Sequence, residues 1–235
     1  MKRILIAEDE RSIRELIVIN LKRNGYEVVE AENGEEALRQ YQNYGGNFDI
    51  ALLDIMMPGI DGLEVCKQLR KKSSTIGIVM LTAKTQEMDK VTGLLVGADD
   101  YVTKPFSPGE LMARLDAIYR RVTVNRTYEE KSSEKNNQIP LGEFVLNLRS
   151  RTLLKNGETI ELTQVEFQIM EYFFTHPNLA LERTAILNHV WGEMYYGDEK
   201  VVDVNIRRLR MKVEDDPSSP RHLTTIWGVG YKWLI

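Results

Sequence analysis

Polar residues stand at the ends of several apolar runs in the first half of the sequence. Glu8 and Asp9 follow the first run, Asp54 follows a second, and Thr82 and Lys104 come at or just after two more. The carboxyl ends of parallel strands meet at one edge of an open α/β sheet, where such folds bind ligands. We therefore expect these side chains, which are distant in sequence, to converge on one polar site.

The composition of this predicted site suits a metal ion and a phosphoryl group. Three neighbouring carboxylates would repel one another unless a cation lay among them. Hard oxygen ligands favour Mg²⁺ (or Mn²⁺), and the lysine and hydroxyl could complete a cradle for phosphate. No histidine occurs in residues 1–137, so we expect a carboxylate nucleophile, with Asp54 as the candidate.

The elements that must position these residues follow a β–α repeat. Apolar runs predict buried strands at 4–7, 50–53 and 78–81, with weaker strands at 26–30 and 98–102. Helical periodicity predicts helices near 11–24, 34–44, 61–71, 86–96 and 107–121. Five such repeats imply a doubly wound parallel sheet with helices on both faces.

The second half of the sequence predicts a different, α+β domain. Short alternating strands come first, joined by a turn at Asn156 and Gly157, and a Thr163–Glu166 capping box opens a helix. Two further helices near 183–191 and 200–214 precede a glycine-tipped hairpin, which together predict a winged helix-turn-helix. The expected domains are 1–121 and 139–235, joined by a polar, flexible linker at 122–138.

The third helix of this domain has the composition of a DNA-reading helix. Residues 204–212 hold four basic residues and no acidic one, although residues 138–235 hold 11 basic against 13 acidic residues. A helical wheel predicts an apolar stripe of Val202, Ile206, Leu209 and Val213 facing the core. The predicted DNA contacts on the opposite arc, its flanks and the hairpin are Val204, Asn205, Arg207, Arg208, Arg210, Met211, Lys212, Thr225, Trp227 and Tyr231.

Composition excludes several other classes of protein. With 31 basic and 35 acidic residues the net charge is −4, so a DNA-binding surface must be local. The single cysteine, Cys66, cannot form an internal disulfide, and its helical stripe with Leu63 and Leu69 predicts a core position. No apolar run is long enough to cross a bilayer, and no P-loop motif is present. We expect a cytoplasmic protein without membrane contacts.

Several motifs together resemble a known family. Residues 8–9, 53–62, 81–83 and 104–106 resemble the receiver domain of two-component response regulators, which has a five-stranded flavodoxin-like fold. With 190–192, 202–210 and 228–231 included, the whole chain resembles the OmpR/PhoB family of transcription factors.

The resemblance implies roles for the predicted pocket. Asp54 would accept a phosphoryl group from a sensor histidine kinase, and Lys104 would pair with that group. Asp9, Asp54 and the backbone carbonyl of Met56 would bind Mg²⁺ directly, while Glu8 would hold it through water.

The resemblance also implies a switch and a homodimer. Thr82 would move toward the phosphoryl group and Tyr101 would turn inward, which would allow one face to pair with its copy. The pairs expected across that dimer are Lys90 with Glu110, Asp100 with Arg114, and Asp99 with Arg121. A further family pair of Glu and Lys is replaced here by Leu95 and Asp116.

The resulting expectation is a phosphorylation-activated transcription regulator that dimerises on tandem promoter sites. Residues 192–199 would face RNA polymerase, and Trp227 stands where the family often carries a minor-groove arginine. The alternative is a phosphorylation-independent DNA-binding regulator whose receiver is a protein-interaction module. A dehalogenase-like phosphatase is disfavoured because Met56 cannot supply the general acid of a D-x-D motif. We expect at most slow self-dephosphorylation rather than enzymatic turnover.

Overall fold

A computed structural model describes residues 2–83, 96–128, 137–193, 195 and 197–235. The chain divides into two compact units, of which one ends at Thr123 and the other begins at Val124. Within the described residues, no helix combines the length and the apolar character that crossing a membrane requires.

The first unit is a parallel α/β sheet. Its strands are β1 (Lys2–Ala7), β2 (Tyr26–Ala31), β3 (Ile50–Asp54), β4 (Gly77–Ala83) and β5 (Asp100–Lys104), and its described helices are α1 (Arg11–Arg23), α2 (Gly34–Asn43), α3 (Gly62–Lys72) and α4 (Pro108–Tyr128). The strand order is β2-β1-β3-β4-β5, and every pairing is parallel. The doubly wound fold predicted from the β–α repeats is confirmed.

Close packing brings α3 against the end of β3. A Cβ on Gly62 would lie 2.1 Å from the carbonyl oxygen of Asp54, so only glycine fits there. Asp61 caps the helix by accepting a hydrogen bond of 2.8 Å from the backbone N–H of Glu64. Gly62 and Asp61 therefore fix the path of the chain from the carboxyl end of β3 into α3.

One predicted helix is longer in the structure, and another lies almost wholly outside the described residues. The helix predicted at 107–121 continues as α4 to Tyr128, and so takes in residues that the sequence assigned to the linker. The polar composition of these residues argued against a helix. Extension of an existing helix is favourable, however, because each added residue gains one backbone hydrogen bond. The helix predicted at 86–96 lies almost wholly outside the described residues.

The second unit contains two antiparallel sheets and three described helices. Its strands are β6 (Gln138–Leu141), β7 (Phe144–Asn147), β8 (Thr152–Lys155), β9 (Glu158–Ile160), β10 (Ala180–Glu182), β11 (Leu223–Ile226) and β12 (Gly230–Trp233), and its helices are α5 (Gln164–Thr175), α6 (Arg183–Trp191) and α7 (Lys200–Val213). The sheet orders are β6-β7-β8-β9 and β10-β12-β11. The predicted winged-helix architecture is confirmed, and the short edge strands β6 and β10 are additions to it.

Candidate functional site

The predicted pocket residues converge at the carboxyl edge of the parallel sheet. Glu8 follows β1, while Asp54 ends β3 and Lys104 ends β5. The Nζ atom of Lys104 lies 2.8 Å from Oδ2 of Asp54 and 2.9 Å from Oε1 of Glu8. Glu8 has no exposed surface and Asp54 is 4% exposed, so this bridging ammonium offsets two buried charges.

A third carboxylate completes a cluster that fits a divalent cation. Ligand oxygens of Glu8, Asp9 and Asp54 lie within 4.8 Å of one another, and Asp9 is exposed to solvent. Three carboxylates against the single ammonium of Lys104 leave two excess negative charges. Hard oxygen donors with that excess charge are the donor set that suits Mg²⁺, and exposed Asp9 leaves the cation a route in.

The acid–base properties of the pocket reflect the same imbalance. Burial and the charge of Asp54 together raise the pKa of Glu8 to about 7, against the opposing effect of Lys104. Burial alone would lower the pKa of Lys104, but its hydrogen bonds to Asp54 and Glu8 outweigh that effect and raise the pKa. The ammonium therefore stays charged while Glu8 holds a proton more readily than an ordinary glutamate.

Arg14 supports the loop that carries Glu8 and Asp9, a role that the sequence analysis missed. Its Nη1 donates to the carbonyl oxygens of Glu8 at 2.7 Å and Asp9 at 3.4 Å, and its Nη2 donates to Glu32 at 2.7 Å. Arg14 is buried on the side of α1 that also buries Ile17 and Leu21. The sequence did contain a signal for this role, because Arg14 is a charged residue within the apolar stripe of α1.

The other predicted residues lie on the loop after β3 and on the strands β4 and β5. The backbone N–H of Met56 donates to Oδ1 of Asp54 at 3.3 Å, while the Met56 side chain is exposed. Thr82 is buried near the end of β4, and its hydroxyl lies 3.4 Å from the carbonyl oxygen of Ala83. The Tyr101 ring is buried on β5, so it already occupies an inward position.

Asp99, expected to pair with Arg121 across a dimer, is instead engaged inside its own chain. Its carboxylate forms a short ion pair with Arg70 and accepts a hydrogen bond of 2.7 Å from the backbone N–H of Ile78. Only 2% of Asp99 is exposed. The Asp99 carboxylate is therefore not available at the surface as the expected pairing requires, because Arg70 of α3 binds it and also donates to the carbonyl oxygen of Gly97 at 2.6 Å.

Another expected dimer pair also meets within the chain. Arg114 lies 3.4 Å from Oδ2 of Asp100 and 2.9 Å from Oε1 of Glu110. Asp116, one of the two departures from the family, accepts hydrogen bonds from Tyr26 at 2.8 Å and from Lys2 at 3.3 Å. Lys90 and Leu95 lie outside the described residues, as does the side chain of Arg121.

The predicted DNA-facing arc of α7 is partly wrong. Val204, Asn205 and Arg208 are buried within the second unit. The Nη2 atom of Arg208 lies 2.8 Å from Oε1 of Glu166, which has no exposed surface. The helical wheel predicted that only one narrow stripe of α7 is buried. Glu166 of α5 also covers the side of α7 that carries Arg208.

Glu166 ties α5 to α7 with several polar contacts. It closes the predicted capping box, and its Oε2 also lies 2.7 Å from the Nζ atom of Lys212. Burial alone would raise the pKa of Glu166, but the charges of Arg208 and Lys212 outweigh it and lower the pKa. Two cations expected to face DNA thus contact this buried carboxylate.

The exposed arc of α7 centres on Arg207 and Met211. Arg210, at the edge of that arc, donates to the carbonyl oxygen of Leu223 and to the hydroxyl of Thr225, each at 2.8 Å. These contacts fasten the β11–β12 hairpin beside the exposed arc.

A second polar contact fastens the other strand of the hairpin. The Tyr231 hydroxyl donates to Asp203 at 2.7 Å, and Asp203 also accepts from Nε of Arg183 at 2.8 Å. Tyr231 is buried, which corrects its expected place on the DNA surface. Trp227, at the hairpin tip, is 91% exposed.

Comparison with known families identifies both units. Residues 4–116 match the family model described as the response regulator receiver domain. Residues 157–233 match the family model described as transcriptional regulatory protein, C terminal.

Three solved structures are similar to this chain in sequence or fold. A CheY-like response regulator receiver domain protein from Methanospirillum hungatei JF-1 is 30% identical, with a TM-score of 0.50 over 53% of this chain and 98% of that one. DrrB, an OmpR/PhoB homologue from Thermotoga maritima, is 29% identical over 100% of both chains, with a TM-score of 0.49. A RitR mutant is 24% identical over 99% of both chains with a TM-score of 0.77, which shows likeness of fold.

Proposed function

Because the chain belongs to the two-component response regulators that join a receiver to an OmpR/PhoB-type DNA-binding domain, we propose that phosphorylation of Asp54 switches its binding to DNA. The observation that carries this proposal is the convergence of Glu8, Asp54 and Lys104 at one sheet edge. A family of this kind acts by regulation rather than as a classical enzyme. We expect only slow loss of the protein's own phosphoryl group.

Each pocket residue has a role in phosphoryl transfer from a sensor histidine kinase. An oxygen of Asp54 attacks phosphorus, and the bond from phosphorus to the kinase histidine breaks. Lys104, now shared between two carboxylates, would contact a phosphoryl oxygen. The carbonyl of Met56 would join the carboxylates of Glu8, Asp9 and Asp54 in holding Mg²⁺ or Mn²⁺. The metal supplies positive charge that offsets the negative charge of the phosphoryl oxygens.

Phosphorylation replaces the single negative charge of the Asp54 carboxylate with a phosphoryl group that carries nearly two, and neighbouring side chains would respond to this change. The buried hydroxyl of Thr82 would turn toward the phosphoryl group. Tyr101 would keep its inward position behind it. We propose that this rearrangement stabilises a homodimer.

The dimer proposal must account for pairs already formed within the chain. Arg114 contacts both Asp100 and Glu110 of its own chain, so a partner would have to share or exchange these contacts. Lys90 and Arg121 remain proposed contacts with the partner. Asp99 contributes least, because Arg70 and Ile78 already bind its carboxylate.

The second unit would bind tandem promoter sites as part of that dimer. The exposed arc of α7, with Arg207 and Met211, has the composition to enter a major groove, where arginine binds guanine or phosphate. We further propose that residues 192–199 contact RNA polymerase. Promoter DNA lies in the bacterial cytoplasm, which is the compartment that we propose.

Labelling of Asp54 tests the proposed chemistry. With Mg²⁺ and acetyl phosphate, the mass of the intact chain should rise by one phosphoryl group, and Asp54→Asn should prevent the rise. Asp61→Asn, a nearby exposed carboxylate, is the matched control and should still be labelled. Equal labelling of Asp54→Asn and the native chain would place the nucleophile elsewhere. DNA affinity that ignores labelling would favour the phosphorylation-independent alternative.

A further inference from the structure

The tip of the β11–β12 hairpin carries a large apolar side chain in water. Trp227 is 91% exposed and its neighbour Val229 is 41% exposed. An indole buries about 150–250 Å² when a partner covers it. A partner that binds at Trp227 would therefore gain much of its binding energy from the burial of apolar surface. Trp191 and Trp233, by contrast, are buried in the same unit.

The conformation of the tip holds the indole away from the body of the unit. The backbone N–H of Val229 donates to the carbonyl oxygen of Ile226 at 3.0 Å, which closes a turn around Trp227 and Gly228. Gly228 has a φ of 74°, a value that glycine adopts at the third position of such turns. A closed turn fixes the backbone that carries the indole, so little backbone freedom is lost when the indole is covered.

The hairpin is fastened to the helix that we propose enters the major groove. Arg210 of α7 binds Thr225, which lies two residues before Trp227 and hence within about 7 Å of it along the chain. Arg207 and Met211 are exposed on the same helix. With α7 in a major groove, a hairpin held along its side would reach the sugar–phosphate backbone or the adjacent minor groove.

We propose that Trp227 contacts the DNA minor groove as an uncharged wedge, stacking on sugars or partly unstacked bases. The proposal rests on the DNA-binding function proposed above and deepens it. Apolar side chains that enter the minor groove unstack base steps and kink the duplex. Pyrimidine–purine steps such as TA are kinked most easily. Trp227 would therefore favour DNA sites that are flexible, rather than sites whose narrow minor groove has a strongly negative potential.

Trp227 provides its own fluorescent probe. Because the other two tryptophans are buried, acrylamide should quench mainly Trp227 in the free chain. We would measure this quenching on the full-length chain, treated with acetyl phosphate and Mg²⁺, with a duplex selected from random-sequence DNA on that same protein. Binding should protect Trp227, and the quenching should fall toward that of Trp227→Phe.

Affinity and salt dependence test the same contact through variants. Trp227→Ala should weaken binding about ten-fold with an unchanged salt slope, since stacking is lost but no charge is removed. Trp227→Phe should retain most of the affinity, and Trp227→Arg should steepen the slope of log K against log salt by about one unit. Leu179→Ala removes an apolar side chain that is 52% exposed in another turn of this unit, and it should change neither the affinity nor the slope.

The outcomes separate this proposal from the DNA-binding function. A chain that binds DNA while Trp227 stays fully quenchable overturns the wedge and leaves the regulator intact. Protection of Trp227 that appears without DNA as protein concentration rises would assign the tip to a second copy of the chain, and would also overturn it. No mobility shift with any selected duplex would overturn both proposals, whereas labelling of Asp54 would be unaffected.

Discussion

The acidic pocket and the exposed arc of α7 use charged residues in opposite ways. In the pocket, Glu8 and Asp54 are buried and share Lys104. On α7, Arg207 is exposed, whereas Arg208 beside it is buried and forms an ion pair with Glu166. Of these two adjacent arginines, Arg208 is placed to stabilise the unit, and Arg207 is the one that we propose binds DNA.

This difference explains why one prediction from sequence located its residues better than the other. Residues that follow parallel strands must lie at the same sheet edge, whatever packs around them. The exposed side of a helix depends on every element that covers it, and α7 is covered by α5 as well as by its own hairpin. The following predictions test that contrast.

Arg208→Ala should give the largest change, a loss of stability in the second unit. Removing the guanidinium leaves the buried carboxylate of Glu166 with Lys212 as its remaining ionic partner, which we expect to lower the free energy of unfolding by about 3 kcal/mol. Urea unfolding followed by tryptophan fluorescence reports this unit, because all three tryptophans lie within it. A loss below about 0.5 kcal/mol would place Arg208 among ordinary surface residues.

Arg207→Ala should show the reverse pattern. We expect DNA affinity to fall by about 2 kcal/mol if Arg207 binds a base edge, with unfolding changed by less than about 0.5 kcal/mol. Fluorescence anisotropy with a labelled duplex measures the first quantity, and the unfolding assay above measures the second. Unchanged affinity would contradict the orientation of α7 proposed here.

Glu8 should make the stability of the metal-free receiver depend on pH. Burial and the charge of Asp54 raise its folded pKa to about 7, above the 4.5 of an ordinary glutamate, so its stabilising contribution is complete below pH 4.5 and is lost as pH rises to 7. We expect the free energy of unfolding to fall by about 2 kcal/mol over that window. Glu8→Gln should remove this dependence, whereas the exposed-site control Glu15→Gln should preserve it.

Mg²⁺ should reverse the effect of Glu8 ionisation. A cation among the carboxylates favours the charged form, so saturating Mg²⁺ should restore stability near pH 7. Hydrogen exchange at the amides of β1 and β3 follows the receiver separately from the second unit. A pH profile that is identical for Glu8→Gln and the native chain would contradict the raised pKa.

The helix caps should give effects no larger than these, and the size of each should depend on how deeply the cap is buried. Asp61 caps α3 at the surface, where water can replace its oxygen, so Asp61→Ala should cost about 1 kcal/mol. Thr163 caps α5 in a buried position, and Thr163→Ala should cost about 2 kcal/mol. Thermal unfolding followed by circular dichroism compares them, and equal losses would argue against a role for burial.

Much of the fold could be predicted because its signals are local. Apolar runs, the Thr163–Glu166 capping box and the Asn156–Gly157 turn each predicted an observed element, and those two turn residues have φ values of 51° and 86°. The short strands β6 and β10 could not be predicted in this way. Three- or four-residue strands depend on hydrogen bonds to a partner that is distant in sequence.

The sequence by itself determined which residues meet in the pocket. Carboxylates at the ends of two strands and a lysine at the end of another predict a cation and phosphoryl site, because parallel strands bring their carboxyl ends to one sheet edge. Only the tertiary structure decided that Arg14 holds the acidic loop, that Arg70 binds Asp99, and that Arg208 is buried while Arg207 is exposed. The physical reason is that the partner of a long cationic side chain depends on which acidic or carbonyl oxygens packing brings within reach, and those oxygens come from segments distant in sequence.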